Sequence, residues 1–411
     1  MNYLPIYLVF VGAEANNNKF YRMLPQGDGT FIAEWGRIGN PKFQSTSFSM
    51  SLWDKKYRDK TGKGYEDKTE LVADIINESI TVSGTKEYID IQNNIIKKIV
   101  ERLQAMAKDA IEKNYTISSN KVTQAMIDEA QDLLTKLSNE TTIEKFNSLL
   151  LELFKVIPRK MKKVADNLAE TKTQFARIIE GEQDLLDVMK GQVVTKAVID
   201  EEQKTEVTND FTILEALGLE FEECDDKDID IIKMKLGGAA NQFKNAWRVS
   251  NKKTKVKYDK YLADEGLVNC TKDTKLLWHG SRNENWWSII NGGLVLKPTN
   301  AVITGKMFGY GTYFATKARK SIGYTSLSGS YWAGGNSNTA FMGLYEVAYG
   351  NPYDVHSFDS KYYNFNYDSL QRTKPGAHCL HAHEGTMLRN DEIIVYKEAQ
   401  TTIKYLVEIS N

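Results

Sequence analysis

Apolar positions follow three different rhythms along the chain. From Ile91 they recur as Ile91, Ile95, Ile96, Ile99, Val100, Leu103, Met106, Ala107, Ala110 and Ile111, the spacing of one helix face. The same rhythm returns in Val122, Ile127, Ala130, Leu133, Leu134 and Leu137. A third run (Phe146, Leu149, Leu150, Leu153, Phe154) stops near Pro158, and a fourth covers Phe175, Ile178, Ile179, Leu185, Leu186 and Met189. These stripes predict a helical bundle and read as core packing, with no cofactor role. The first 85 or so residues instead alternate over short stretches, predicting strands at Tyr7–Val11, Phe20–Leu24 and Thr30–Ile38 with a turn at Gln26-Gly27-Asp28-Gly29. Short strands are also predicted at Lys275–Trp278, Gly311–Phe314, Gly343–Ala348, Glu392–Tyr396 and Ile403–Ile409. Large polar loops separate them, as in an antiparallel sandwich and not in alternating βαβ units.

Glycine and proline sharpen these boundaries. Gly is absent between Gly84 and Gly181, 18 of the 28 glycines follow residue 205, and Pro158 is the only proline between Pro41 and Pro298. Both residues punctuate helices, so the stretch poor in them is the helical block. The reading is a chain of three domains at 1–90, 91–205 and 206–411.

Composition excludes several classes. Lys and Arg total 53 against 54 Asp and Glu, so no bulk polycation coats nucleic acid, although one basic face remains compatible with the balance. Three cysteines (Cys224, Cys270, Cys379) make no disulfide framework and no zinc finger. The apolar start, residues 1–13, lacks a basic flank and contains Pro5, so it reads as a buried strand and not a leader. No stretch reaches the about 18 apolar residues of a membrane helix, and the expectation is an intracellular protein without a membrane partner.

The densest chemistry lies in the last third. Leu276-Leu277-Trp278-His279-Gly280-Ser281-Arg282 ends an apolar strand with an imidazole, a glycine and a hydroxyl. Gly305-Lys306-Met307-Phe308-Gly309-Tyr310-Gly311-Thr312-Tyr313-Phe314-Ala315 enters another strand from a glycine-punctuated loop. Lys320-Ser321-Ile322-Gly323-Tyr324 adds a cation, a hydroxyl and an aromatic, and Asn390-Asp391-Glu392 opens a further strand. Each group alone has an ordinary structural reading. Together they provide what a nucleotide glycoside requires: close backbone, a stacking face, hydroxyls for an amide, and a carboxylate for positive charge developing on a ribose. His378-Cys379-Leu380-His381-Ala382-His383 puts three of its side chains on one strand face, but no second ligand cluster accompanies it, and the reading is no metal.

These segments resemble the catalytic domain of the poly(ADP-ribose) polymerases, specifically the DNA-dependent members without zinc fingers. Glu34-Trp35-Gly36-Arg37-Ile38-Gly39 and the later Lys55–Gly62 stretch resemble the WGR domain of the same family. Phe154-Lys155-Val156-Ile157-Pro158 resembles a segment of its regulatory helical domain. The resemblance implies an α+β multidomain fold: a small β-rich WGR domain, an all-α bundle and an antiparallel sandwich-like transferase domain.

It also implies NAD as co-substrate, without a metal, and a His–Tyr–Glu triad at His279, Tyr313 and Glu392. The nicotinamide would meet Gly280, Ser321, Tyr324 and Tyr313, with Ala315 and Lys320 beside them. Ser281 and Asn285 would lie near the adenosine ribose. Trp35, Arg37, Lys55 and Lys56 would meet DNA at strand breaks. Acceptors would be proteins, including the enzyme itself, with a possible accessory factor, and the compartment would be the nucleus in a eukaryote. Two departures stand out: Val295 follows Gly293-Leu294 where members often carry Arg, and residues 352–385 are short and aromatic where acceptor contacts are expected. The alternatives are transfer of single ADP-ribose units and a non-catalytic DNA-end scaffold.

Overall fold

The computed structural model describes residues 3–40, 42–70, 88–115, 122–203, 211–296, 307–331, 333–385 and 388–411, with side chains of 192 and 194–203 left aside. The described residues within 1–85 and 108–193 form one compact unit. Those within 86–107, 194–299 and 305–411 form another.

The first unit begins with an antiparallel sheet of β1 (Ile6–Gly12), β2 (Asn17–Pro25), β3 (Thr30–Arg37), β4 (Gln44–Ser49) and β5 (Glu66–Asp67), in the order β4-β3-β2-β1-β5. Alternation dictates its two faces, and Tyr21, Met23, Phe31 and Ala33 point into one core. Helix α1 (Trp53–Thr61) closes that core, its Trp53 ring 5.0 Å from Phe31.

The helical runs follow as α2 (Asn94–Asn114), α3 (Gln124–Ser138), α4 (Ile143–Val156) and α5 (Phe175–Gln203). Their starts are local chemistry: Asn93 Oδ1 accepts from Ile95 N at 2.8 Å, and Thr123 Oγ1 accepts from Met126 N at 3.2 Å. Val122, Ile127, Ala130, Leu133, Leu134 and Leu137 are all buried, as their spacing predicts. Phe146 stacks on Phe175 at 3.8 Å, and Arg159 pairs with Glu182.

The sheet and the bundle meet within this unit. Arg37 gives its guanidinium to Asn16 O at 2.7 Å, Asn16 Oδ1 at 3.1 Å, Met161 O at 3.0 Å and Lys162 O at 2.9 Å. Asn16 also accepts from Val164 N at 2.9 Å.

The second unit carries β6 (Leu219–Glu223), β7 (Phe243–Asn251), β8 (Thr274–Gly280), β9 (Thr312–Ala315), β10 (Thr339–Ala348), β11 (Pro352–Val355), β12 (Cys379–Ala382), β13 (Glu392–Val395) and β14 (Thr401–Ser410). Their order is β11-β12-β13-β9-β8-β10-β14-β7-β6. Strands β8 and β9 share a single pair, Trp278↔Ala315, so the sheet divides there into two parts, each with its own apolar cluster. The α+β class and the β-rich catalytic region are as expected from the sequence. One pair departs from the antiparallel expectation, because β11 and β12 run parallel.

Helices α6 (Ile213–Leu217), α7 (Asp226–Leu236), α8 (Lys252–Asp264), α9 (Trp286–Gly292), α10 (Ala318–Ile322) and α11 (Tyr367–Thr373) complete the unit. The first turns of α2 are tied to the same sheet. Glu408 on β14 is only 3% exposed, and its carboxylate accepts from Arg102 at 2.7 Å and Lys244 at 3.1 Å. Arg102 also donates to Thr339 Oγ1 at 2.9 Å and lies over the Phe341 ring. Of the aromatics in 352–385, Tyr362 and Phe365 are buried around Phe308 and Tyr396, while Tyr363 is exposed.

Candidate active site

Three adjacent strands present the chemistry. β13 pairs with β9 in the register Glu392↔Ala315 and Ile394↔Tyr313, which puts Glu392, Ala315 and Tyr313 on one face. Glu392 opens its strand at 6% exposure, a carboxylate that burial would penalise without a counter-charge. Lys320, on α10, supplies that charge at 2.7 Å.

Tyr313 is fixed at its hydroxyl, which donates to Gly309 O and accepts from Phe308 N, both at 2.9 Å. Burial pushes its pKa far above 10, so it stays a neutral donor. Tyr396 holds the same loop by donating to Phe308 O at 2.7 Å. Gly309 has φ +77°, and a Cβ there would lie 1.9 Å from Phe365 O. Gly311 likewise abuts Ile394. These two glycines therefore serve packing of the loop against protein, and Gly305 and Lys306 lie outside the described residues.

His279 ends β8. Its Nδ1 donates to Tyr313 O at 3.0 Å, which leaves Nε2 as the acceptor of the neutral ring. The ring lies beside Phe314 and Tyr345. Burial lowers its pKa below 6.5, and the bond to the Tyr313 carbonyl opposes that only partly. The neutral form thus persists into mild acid. The KM for the substrate that uses this acceptor should be flat above pH 6.5 and climb only as the pH falls below it, because only there is Nε2 protonated. A KM rise centred above pH 6.5 in initial-rate profiles would remove His279 from binding.

Gly280 is packed tightly against α10. A Cβ on it would lie 2.0 Å from Ser321 O, so only glycine lets the end of β8 meet α10. This contact places Gly280 beside Ser321, which is buried, and in the stretch that carries half-buried Tyr324. Asn285 donates to Ser281 Oγ at 3.0 Å, while its buried Oδ1 has no partner among the described residues. Such an orphaned acceptor in a polar corner fits a ligand hydroxyl. Glu392, Tyr313 and Ala315 share one face of β13 and β9, with Lys320 paired to Glu392. Gly280 abuts Ser321 in the stretch that carries Tyr324, and Ser281 and Asn285 follow β8. The register Trp278↔Ala315, by contrast, puts the His279 ring on the opposite face, beside Phe314. Val295 is 62% exposed.

In the N-terminal sheet Trp35 is half-buried, 6.0 Å from the Tyr21 ring. Lys55 is exposed, Lys56 lies over Phe48 and Lys60 over Tyr21. Arg37 is not part of an open basic face; its guanidinium is engaged by the backbone beyond α4. The sequence carried no signal of that engagement, because Met161 and Lys162 are more than a hundred residues away.

Residues 233–411 match the poly(ADP-ribose) polymerase catalytic domain, and residues 4–72 match the WGR domain. A putative poly [ADP-ribose] polymerase-like protein, 100L, of Invertebrate iridescent virus 6 is 31% identical over 156 residues, covering 37% of this chain and 78% of the viral protein. The chain belongs to the poly(ADP-ribose) polymerase family. The poly [ADP-ribose] polymerase of Drosophila melanogaster is 25% identical over 98% of this chain, which spans 46% of the fly protein. Poly [ADP-ribose] polymerase 2 of Homo sapiens is 47% identical over 75 residues, 18% of this chain and 12% of the human protein.

As a family member the chain is an NAD+ ADP-ribosyltransferase. No helix among the described residues is long and apolar enough to cross a membrane.

Proposed function

We propose that this polymerase is stimulated by DNA breaks and builds poly(ADP-ribose) on proteins, itself included. The observation that carries the catalytic part is the grouping of buried Glu392, paired with Lys320, beside Tyr313 and the Gly280–Ser321 contact. In this reading Gly280 and Ser321 hold the carboxamide of NAD+, and Tyr324 and Tyr313 flank the nicotinamide ring. His279 Nε2, Ser281 and Asn285 take the adenosine ribose. Ala315 lines the floor opposite Glu392. The bond between the ribose and nicotinamide breaks, nicotinamide keeps the electron pair, and the acceptor oxygen bonds to the ribose as it loses its proton. Glu392 steadies the positive charge that develops on the ribose and polarises the acceptor. That carboxylate supports polymer growth over single transfer.

The DNA part rests on the WGR match and on charge. Trp35, Lys55, Lys56 and the neighbouring Arg58, Lys60 and Lys63 supply an amphipathic aromatic beside cations, suited to an end where a sugar or base is unstacked. Arg37 acts from behind this face, tying the sheet to the segment after α4. We assign residues 1–90, 91–205 and 206–411 to DNA binding, regulation and transfer. DNA bound by the first region would shift the second toward a conformation that opens the third, which requires tighter binding to that state. The Arg102–Glu408 pair supports the helical block as a restraint on the catalytic sheet.

Trp35→Ala should abolish salt-sensitive binding to a nicked duplex in fluorescence anisotropy and remove stimulation by that DNA, while leaving the basal rate. Wild-type affinity in the variant, or binding indifferent to salt, would contradict this assignment.

A further inference from the structure

We propose that Asp354, His381 and His383 bind a first-row divalent transition ion, zinc foremost. The parallel register of β11 and β12 sets Asp354 directly opposite His381, and His383 lies two residues on, just past the strand. One ligand atom from each residue lies within 4.8 Å of the others. Asp354 Oδ1 is 2.8 Å from His383 Nε2 and 4.0 Å from His381 Nδ1. In a tetrahedral zinc site with bonds of about 2.0–2.1 Å, ligand atoms lie roughly 3.3 Å apart, so small side-chain rotations close the set.

The surroundings fit ligation in three respects. The His381 and His383 rings stack at 3.9 Å and His356 stacks on His383 at 4.4 Å, which holds the two ligand rings side by side. His381 Nε2 lies 3.3 Å from Asp391 Oδ2, so with Nδ1 on the ion its other nitrogen would donate to a carboxylate. That carboxylate–imidazole–metal arrangement orients ligands in many metal sites. Asp391 is itself held, accepting from Glu384 N at 2.7 Å.

Tyr349, whose hydroxyl is 2.8 Å from His381 Nδ1, marks where the ion would displace a proton donor. Lys317, the cation nearby, is taken up by Glu384 at 2.6 Å. Two imidazoles and one carboxylate leave a fourth position for water. The site adjoins the catalytic machinery, since Asp391 precedes Glu392 and β12 pairs with β13 in the register Ala382↔Glu392. It needs neither NAD+ nor DNA, so its test is independent of the transferase reading.

Untagged protein, stripped with a chelator, would be titrated with Co2+ in the visible and with Zn2+ in a calorimeter. The expected result is one equivalent, with d–d absorption of tetrahedral strength that Zn2+ abolishes. His381→Ala/His383→Ala should remove it, and Asp391→Asn should weaken it by about 10–100-fold. His383 and Asp354 side chains are 27% and 45% exposed, so His383→Ala and Asp354→Asn, which disturb little packing, carry the test if the double variant does not fold. Absence of uptake by the wild type, or uptake unchanged in these variants, overturns the proposal.

Discussion

Glu392→Gln lowers the rate of nicotinamide release and ADP-ribose transfer by about 10²–10³-fold, the usual cost of losing one placed electrostatic stabiliser. Gln keeps the length, shape and one oxygen of the side chain, so Lys320 retains a partner and β13 retains its pairing with Ala315 and Ala382. What disappears is the full negative charge at the point where the ribose becomes positive. The kcat should therefore fall while the KM for NAD+ and the thermal midpoint stay near wild type. Equal nicotinamide release by variant and wild type would remove Glu392 from catalysis, and loss of the folded state would show its role to be structural.

Gly280→Ala is the second large effect, with a different signature. The added Cβ would start 2.0 Å from Ser321 O, a backbone atom that does not swing aside. β8 is held by its ladder to β10, in which Gly280 pairs with Met342, so the yielding part is α10. That displacement moves Ser321, Tyr324 and the Lys320 partner of Glu392 together. A misplacement of about 1 Å costs on the order of 10²-fold. The expected result is loss of NAD+ binding in calorimetry as well as loss of rate, in a protein whose circular dichroism is unchanged. Wild-type affinity in Gly280→Ala would show that the 280–321 contact does not shape the substrate site.

Legibility in the sequence follows how local each interaction is. His279, Tyr313 and Glu392 stand at the mouths of apolar strands, so their motifs announce themselves, and the structure brings those strands side by side. The four amphipathic runs became helices because one face of each alternates at helical spacing. Helices α7 and α8 escaped notice because Asp, Lys and Tyr crowd their sequences and leave a thin apolar stripe. Residues 352–385 depart from the family where acceptor contacts are expected, and of their aromatics Tyr362 and Phe365 are core, a role that aromatic content alone does not reveal.

The Arg102–Glu408 pair spans 306 residues, and Asp354 reaches the histidines only through a parallel strand register. Neither leaves any mark in local sequence.

The central claim is a transferase governed by DNA. Labelled NAD+ should be incubated with the full chain, with and without nicked duplex, and the products resolved by size alongside released nicotinamide. The account predicts little release without DNA, and with it strong release and label extending as polymer on the protein. Release that is equal in both arms, or label confined to single units, would contradict it.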